Sequence, residues 1–424
     1  MSRAQWRIVL LLMAFAFLCH FNRVGMSVAG TERLMEEFHL TTNQMGLVYS
    51  AYLFVYTVMM IPGGWLIDRA GPRGALGLMG FLSAGLIMLT GVPAWGLIPA
   101  TAALPTFMVI RGMLGLATVP MHPGAARAVS LTLPPASRSW GNGMITGAAV
   151  VGVASTYYLF GLLMDHLDWP RVFLMSGSAT LFVAFIWMAT TTGVLSGAAV
   201  DTPRSTSPDA TADGDDRPAQ VGGFTELLPL LRDRNMVLVT ASYAALGYFQ
   251  YLFFYWMEFY FKDVLGLPKE TSRLYATIPT VAMAVGMVAG GFLSDCLEKV
   301  WQPRWGRAAV PIGGMLGSAL FASAGVHLTD PVAVVACFAL AMGALGMAEG
   351  PYWTTAIEIG GRRGGLSGAI FNTGGNAGGT LAPYLTPVLS GIFGWQTGIE
   401  VACVCCVIGA VLWLWITPIR QSRR

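Results

Sequence analysis

Charge is what this chain has least of. Only 11% of its 424 residues are Asp, Glu, Lys or Arg, 55% are hydrophobic, and mean hydropathy is +0.61. A soluble domain carries about 25% charged residues, so a chain this poor in charge cannot cover a water-facing surface, and a soluble globular protein is excluded. The net charge of +3 is too small for a nucleic-acid partner. The six cysteines include no Cys-x-x-Cys pair and the five histidines no ligand spacing, so neither a metal nor a disulfide framework is expected. Cys403, Cys405 and Cys406 read as small apolar filling. No nucleophile–base pair or nucleotide loop occurs, so no enzyme and no cofactor are expected.

What is present is a series of apolar runs. Met1-Ser2-Arg3-Ala4-Gln5-Trp6-Arg7 precedes a first run too long for a signal-peptide core and without a small-residue cleavage site. Runs near the length that crosses a bilayer, about 20 residues, lie at 8–29, 45–66, 74–92, 103–121, 140–163 and 170–192. Six more lie at 236–261, 273–294, 308–327, 331–351, 365–390 and 394–417. The expected fold is an all-α membrane protein of twelve transmembrane helices in two six-helix pseudo-repeats. With the N-terminus inside, 18 Lys and Arg residues fall on the cytoplasmic side and 5 outside, which places both termini in the cytoplasm. Between spans 6 and 7, Thr202-Pro203-Arg204-Ser205-Thr206-Ser207-Pro208-Asp209 and Asp213, Asp215 and Asp216 lie in a stretch poor in bulky apolar residues, which reads as a flexible linker. The expected organisation is a first bundle over 1–193, a cytoplasmic linker over 194–230 and a second bundle over 231–424.

The halves repeat each other. Gly63-Gly64-Trp65-Leu66-Ile67-Asp68 closes span 2, and Gly290-Gly291-Phe292-Leu293-Ser294-Asp295 closes span 8, the second of its half. Repeats of this kind build many secondary transporters, with substrate held near the midplane between them. The longer string Gly64-Trp65-Leu66-Ile67-Asp68-Arg69-Ala70-Gly71-Pro72-Arg73 resembles the G-x-L-x-D-R-x-G-R signature of the major facilitator superfamily. Its glycines admit close helix contact, and its charges suit a cytoplasmic gate, with Gly64, Asp68, Arg69, Gly71 and Arg73 as the gating residues. The copy around Asp295 is degenerate, since Gly306-Arg307 follows only after a longer insert.

Charges at membrane depth cost several kcal/mol unless they serve a cavity. Arg23 lies in span 1 and Arg111 in span 4, at similar depths below the outer face. Guanidinium groups suit two-pronged capture of a carboxylate; the alternative is that Arg23 extends outward and Arg111 caps neighbouring backbone. Tyr49, Tyr52 and Tyr56 share one face of span 2, as do Asn372 and Asn376 in span 11, and phenols and amides suit the hydroxyls of a sugar acid. Gly374 and Gly378 read as close helix packing. Glu349 in Glu349-Gly350-Pro351-Tyr352-Trp353 joins a carboxylate to a helix breaker, while Glu258 and Glu358 read as interfacial.

Asn22-Arg23, Met45-Gly46-Leu47-Val48-Tyr49-Ser50-Ala51-Tyr52, Arg111-Gly112-Met113-Leu114-Gly115 with Pro120 and Pro123, and Gly375-Asn376-Ala377-Gly378-Gly379 with Pro383 are together similar to the anion:cation symporter family. The resemblance covers nearly the whole chain apart from the linker. It implies a carrier of sugar acids or other carboxylates in the bacterial inner membrane, with Arg23 and Arg111 holding the substrate carboxylate. Two positions depart from the family: sugar-acid members commonly have Asp where Asn22 stands and Glu where Thr118 stands, and those carboxylates are the family's proton sites. Coupling is therefore expected through His122 or Glu349. The expected function is secondary active transport of a small organic anion with a co-transported ion, a proton first, by a monomer in the lipid bilayer. A drug or metabolite exporter of the same superfamily, or an uncoupled anion facilitator, is the alternative.

Overall fold

The computed structural model describes residues 2–96, 98–192, 224–301, 303–361 and 364–417, and some side chains inside those helices, Gly64 and Asp68 among them, are not described. Most of the expected linker, 194–223, lies outside the described residues. Among the described residues no strand occurs.

In the first half, α1 is Arg3–Ala29, α2 is Thr42–Leu89, α3 is Ala103–Thr118, α4 is Met121–Thr132, α5 is Pro135–Ser155, α6 is Gly161–Leu167 and α7 is Trp169–Thr190. In the second half, α8 is Phe224–Leu231, α9 is Arg234–Phe259, α10 is Lys269–Val300, α11 is Pro303–Val326, α12 is Pro331–Gly360, α13 is Gly364–Phe393 and α14 is Trp395–Leu412. Ten helical stretches among the described residues are long and apolar enough to cross a membrane, and they coincide with ten of the expected spans. The other two expectations, 45–66 and 365–390, lie within α2 and α13.

Local chemistry sets the boundaries. Ser2 and Thr41 open α1 and α2 with reciprocal bonds to Gln5 and Gln44, which satisfy the exposed amides of a helix start. Spans 2 and 3 adjoin inside α2, where the break is Gly71 at φ 66° followed by Pro72; only glycine takes that φ at no steric cost. The expected span 103–121 divides at Pro120, so His122 sits in α4 and not at the end of α3. Three helices tighten or loosen at one end of the bundle: π-turns at Gly30–Leu34, Thr156–Phe160 and Tyr260–Val264 extend α1, α5 and α9.

The outside of the molecule is apolar, with Phe292 at 74% and Val288 at 78% exposure, a surface suited to acyl chains and not to water. Inside, α9 and α13 touch backbone to backbone. A Cβ on Gly378 would strike the Ala244 carbonyl, and one on Gly247 the Gly375 carbonyl. The glycine stripe of α13 is thus a helix-packing surface, as its spacing predicts. Helix α13 also runs against α2, where the Ser50 hydroxyl donates to the Thr380 carbonyl at 2.7 Å.

Candidate functional site

Arg23 stands at the junction of the halves. It is 7% exposed, and its Nη2 donates to the Tyr251 hydroxyl of α9 at 2.5 Å. Its guanidinium lies 5.1 Å from the Tyr52 ring centre, 5.6 Å from Tyr56 and 4.7 Å from Tyr251, a cage of electron-rich faces around a cation. Its Nε has no hydrogen-bond partner. Among the described residues no carboxylate forms an ion pair with Arg23 or Arg111. A positive charge at this depth without a counter-ion is costly.

Arg111 does different work. Its Nη1 and Nη2 donate to the carbonyls of Asn22 and Arg23 at 3.2 and 2.7 Å, and its guanidinium also lies over the Tyr52 ring, 5.0 Å from the ring centre. Arg111 is therefore a backbone clasp on α1, the second of the two readings that the sequence left open, and its terminal nitrogens are already engaged. Tyr52 thus contacts both guanidinium groups, and its hydroxyl bonds Thr118 Oγ1 at 2.7 Å. That uncharged pair occupies the position where the resembling family carries a carboxylate. Asn22 turns away from the Arg23 guanidinium, with Nδ2 on the Leu18 carbonyl at 2.8 Å.

The second half supplies amides and phenols. The Tyr251 hydroxyl donates to Asn376 Oδ1 at 3.3 Å, and Asn376 Nδ2 donates to Asn372 Oδ1 at 3.2 Å. A polar chain thus runs from Arg23 through Tyr251 to Asn376 and Asn372. Glu349 is buried on α12 and accepts from the Tyr243 hydroxyl at 2.9 Å, while the Tyr243 ring stacks on Phe371 at 3.9 Å. His122 meets His20 edge to face at 5.3 Å.

The structure therefore gathers Arg23, Tyr52, Tyr56, Asn372 and Asn376. Tyr49 departs from that group: its hydroxyl donates to the Ser27 carbonyl at 3.4 Å and its ring stacks on Tyr255 at 5.0 Å, further toward the end of α1. Sequence reasoning missed Tyr243 and Tyr251. The signal was available, because Tyr243, Tyr251 and Tyr255 are spaced by eight and four, one face of α9.

Of the gating residues, Arg73 donates to the Met188 carbonyl at 2.8 Å and to Thr192 Oγ1 at 3.0 Å, tying α2 to the end of α7, and Arg69 is exposed. In the second half Arg307 bonds Glu298 at 2.6 and 2.8 Å and also pairs with Glu358. Glu358 is accordingly an ion-pair partner of Arg307.

At the opposite end the charges cross between halves. Arg273 of α10 bonds Glu32 at 2.5 and 2.6 Å and Asp165 of α6 at 2.5 Å. Lys269 pairs with Asp165, and the Lys262 ammonium donates to the Thr31 carbonyl at 3.1 Å. Arg273, counted among the outer Lys and Arg residues, is 1% exposed, enclosed by Glu32 and Asp165 of the other half and by Gly161, where a Cβ would strike its guanidinium. One expectation is corrected here. Glu258, expected as interfacial, is 2% exposed, because this end of α9 is held against the end of α1, with Lys262 on the Thr31 carbonyl.

The sequence profile described as Major Facilitator Superfamily matches residues 12–370. The chain belongs to that superfamily. As a member it is a multi-pass membrane transporter of the all-α major facilitator fold and not an enzyme. It is 29% identical over 371 residues to a probable sulfoacetate transporter of Cupriavidus necator, covering 84% of this chain and 81% of that protein. It is 25% identical over 422 residues to a D-galactonate transporter of Escherichia coli, with 97% and 95% covered, and 25% identical over 386 residues to a probable galactarate/D-glucarate transporter of Bacillus subtilis, with 88% and 83% covered. Among solved structures, a bacterial homologue of the human lysosomal transporter Spinster superposes with TM-score 0.79 at 16% identity, covering 98% of this chain and 97% of that one. A D-xylose–proton symporter superposes with TM-score 0.72 at 14% identity, with 97% and 98% covered.

Proposed function

We propose that this superfamily member carries a small organic anion, a sugar acid or a related carboxylate or sulfonate, across the bacterial inner membrane by alternating access. The observation that carries the reading is Arg23, a buried cation in a cage of three tyrosines with no acidic partner among the described residues. Arg23 is the anion ligand. Arg111 holds the α1 backbone that presents it, while Tyr56, Tyr251, Asn372 and Asn376 offer hydrogen bonds to the hydroxyls of the cargo. The named cargoes of the relatives, sulfoacetate, galactarate, D-glucarate and galactonate, are small anions that such a site accommodates.

The moving parts are the bundles 1–193 and 231–424, joined through 194–230 in a monomer. The Lys and Arg bias puts both termini and the Arg73 end in the cytoplasm, so the Glu32–Arg273 end faces outward. Ion pairs join the halves only on that side among the described residues, which supports a conformation closed outside. A proton is the proposed co-transported ion, with Glu349 and His122 as its carriers in the core. The Tyr52–Thr118 pair favours one second reading, an uncoupled facilitator, because it removes a proton site from beside the arginines.

Purified protein in proteoliposomes, offered radiolabelled galactonate, glucarate and sulfoacetate with and without an inward proton gradient, tests the proposal. Saturable uptake of at least one anion, abolished by Arg23→Ala, is expected. Uptake of none of the three, or full uptake by Arg23→Ala, overturns the anion reading; uptake indifferent to the gradient selects the facilitator.

A further inference from the structure

One acid of the outer closure has no cation hydrogen-bonded to it. Three carboxyl groups meet there: Glu32 from the π-turn after α1, Asp165 from α6 and Glu258 from α9. Arg273 and Lys269 serve Glu32 and Asp165. Lys262 is engaged with the Thr31 carbonyl and with Asp263, the latter at 3.6 Å. Glu258 is left over. It is 2% exposed, and neither of its oxygens has a hydrogen-bond donor. The Glu32 carboxylate, itself an acceptor, lies against it. Around the pair stand Tyr49 from α2, Tyr157 from the π-turn after α5, Arg273 from α10, and Lys262 from the π-turn after α9. The Tyr49 hydroxyl donates to the Ser27 carbonyl and that of Tyr157 to the Phe254 carbonyl at 2.9 Å, so neither is free to donate to Glu258.

Two buried acceptors in contact repel unless one of them carries a hydrogen. We propose that Glu32 and Glu258 form a proton-binding site that locks the outer closure, with one proton held between the two carboxyl groups whenever the halves meet there. The Glu258 hydroxyl donates to a Glu32 oxygen while the other lone pairs of Glu32 face Arg273. When the closure opens, the carboxyls separate into water and the proton leaves to the external solution. No bond other than O–H is made or broken. The proposal rests on the reading of the chain as an alternating-access transporter closed outside in this conformation. It adds a site distinct from Glu349 and His122, with its own direction of pH dependence.

The closed form binds one proton more than the open form, so closure is favoured at low pH and lost as pH rises. The ratio of closed to open changes by about tenfold per pH unit across the titration. Asp165 works in the opposite direction. Its protonation at low pH would release Lys269 and Arg273 and weaken closure, so the sign of the response identifies the group.

The test needs no substrate, so its outcome is independent of whether the cargo has been identified. Full-length protein in lipid nanodiscs, in sodium-free buffer, carries spin labels on unnatural residues at the exposed positions 36 and 270, on opposite halves of the outer end. Pulsed distance measurements over a pH series are expected to show the short, closed distance giving way to a longer one as pH rises. Glu258→Gln, whose amide donates to Glu32 as the protonated acid does, is expected to stay closed with no pH response. Glu32→Gln removes the repulsion from the other side and is also expected to flatten the titration, whereas Glu349→Gln and His122→Gln retain it. Infrared difference spectra of the unlabelled protein should contain the C=O stretch of a protonated carboxylic acid that Glu258→Gln removes. A parent protein whose distance ignores pH, or closes as pH rises, overturns the proposal. So does a Glu258→Gln protein that titrates like its parent, or an acid band that survives that change.

Discussion

The two ends of this molecule handle charge in opposite ways. At the end proposed to face outward Arg273 reaches across the halves to Glu32 and Asp165, and Lys269 joins them. At the opposite end Arg73 binds α7 of its own half, and Arg307 binds Glu298 and Glu358 of its own half. The same residue types therefore brace each bundle internally on one side and fasten one bundle to the other on the opposite side. What distinguishes a gate from a brace is not the presence of ion pairs but whether their partners belong to bodies that must separate.

The severest way to break that contrast is to remove the shared cation. Arg273→Met strands Glu32 and Asp165, and loss of one partner of a buried ion pair costs about 3–5 kcal/mol. The closed-to-open ratio should drop by two to three orders of magnitude at about 1.4 kcal/mol per factor of ten. A cysteine introduced at Ser27, buried just inside the closure, should then react with an impermeant maleimide added from outside, whereas in the parent it should not.

The arginine pair in the core comes next. Arg23→Ala should reduce anion affinity by on the order of a hundredfold, as charge-assisted bonds are worth about 1.5–3 kcal/mol each, while the melting temperature changes little. Arg111→Ala should do the reverse first, lowering the melting temperature because two α1 carbonyls lose their donors. Equal losses of affinity with no loss of stability would instead make Arg111 a ligand. Arg23→Lys should recover little, since a point charge lacks the two-pronged geometry.

A milder test lies beneath the outer cation. Gly161→Ala pushes a methyl group into the Arg273 guanidinium, and overpacking of this kind costs about 1–3 kcal/mol. The expected result is partial opening toward the outside by the same maleimide assay. The smallest effect is expected at Arg73→Gln. That change leaves two acceptors on α7 to water or neighbours, at about 1 kcal/mol, and should slow exchange of bound anion without changing outer accessibility.

Much of this was legible in the sequence because the bilayer leaves the chain few options. Spans must be long, apolar and helical, so their number and approximate bounds follow from composition. Arg23 was legible for the same reason, since a charge at that depth has few inexpensive roles. Which residues meet across the halves was not legible. Tyr49, Tyr52 and Tyr56 do share a face, yet Tyr49 lies at the level of Tyr255 while the other two lie under Arg23, a difference in height that periodicity does not express. Tyr251 and Glu258 acquire their partners only when α9 is set against α1. The side chains of Gly64 and Asp68 and most of the expected linker are not described.

The contact of α9 with α13 has a mechanical side. Where Gly378 rests on the Ala244 carbonyl and Gly247 on that of Gly375, no rotamer stands between the two backbones, and so nothing there can flex to absorb a displacement. A pull exerted on Tyr251 at one face of α9 is passed without slack to α13, which carries Asn372 and Asn376. The two walls of the second half's polar chain therefore travel as one stiff lever. Its stiffness comes from side chains that are missing: one methyl group added at Gly378 would pry the lever apart at its thinnest point.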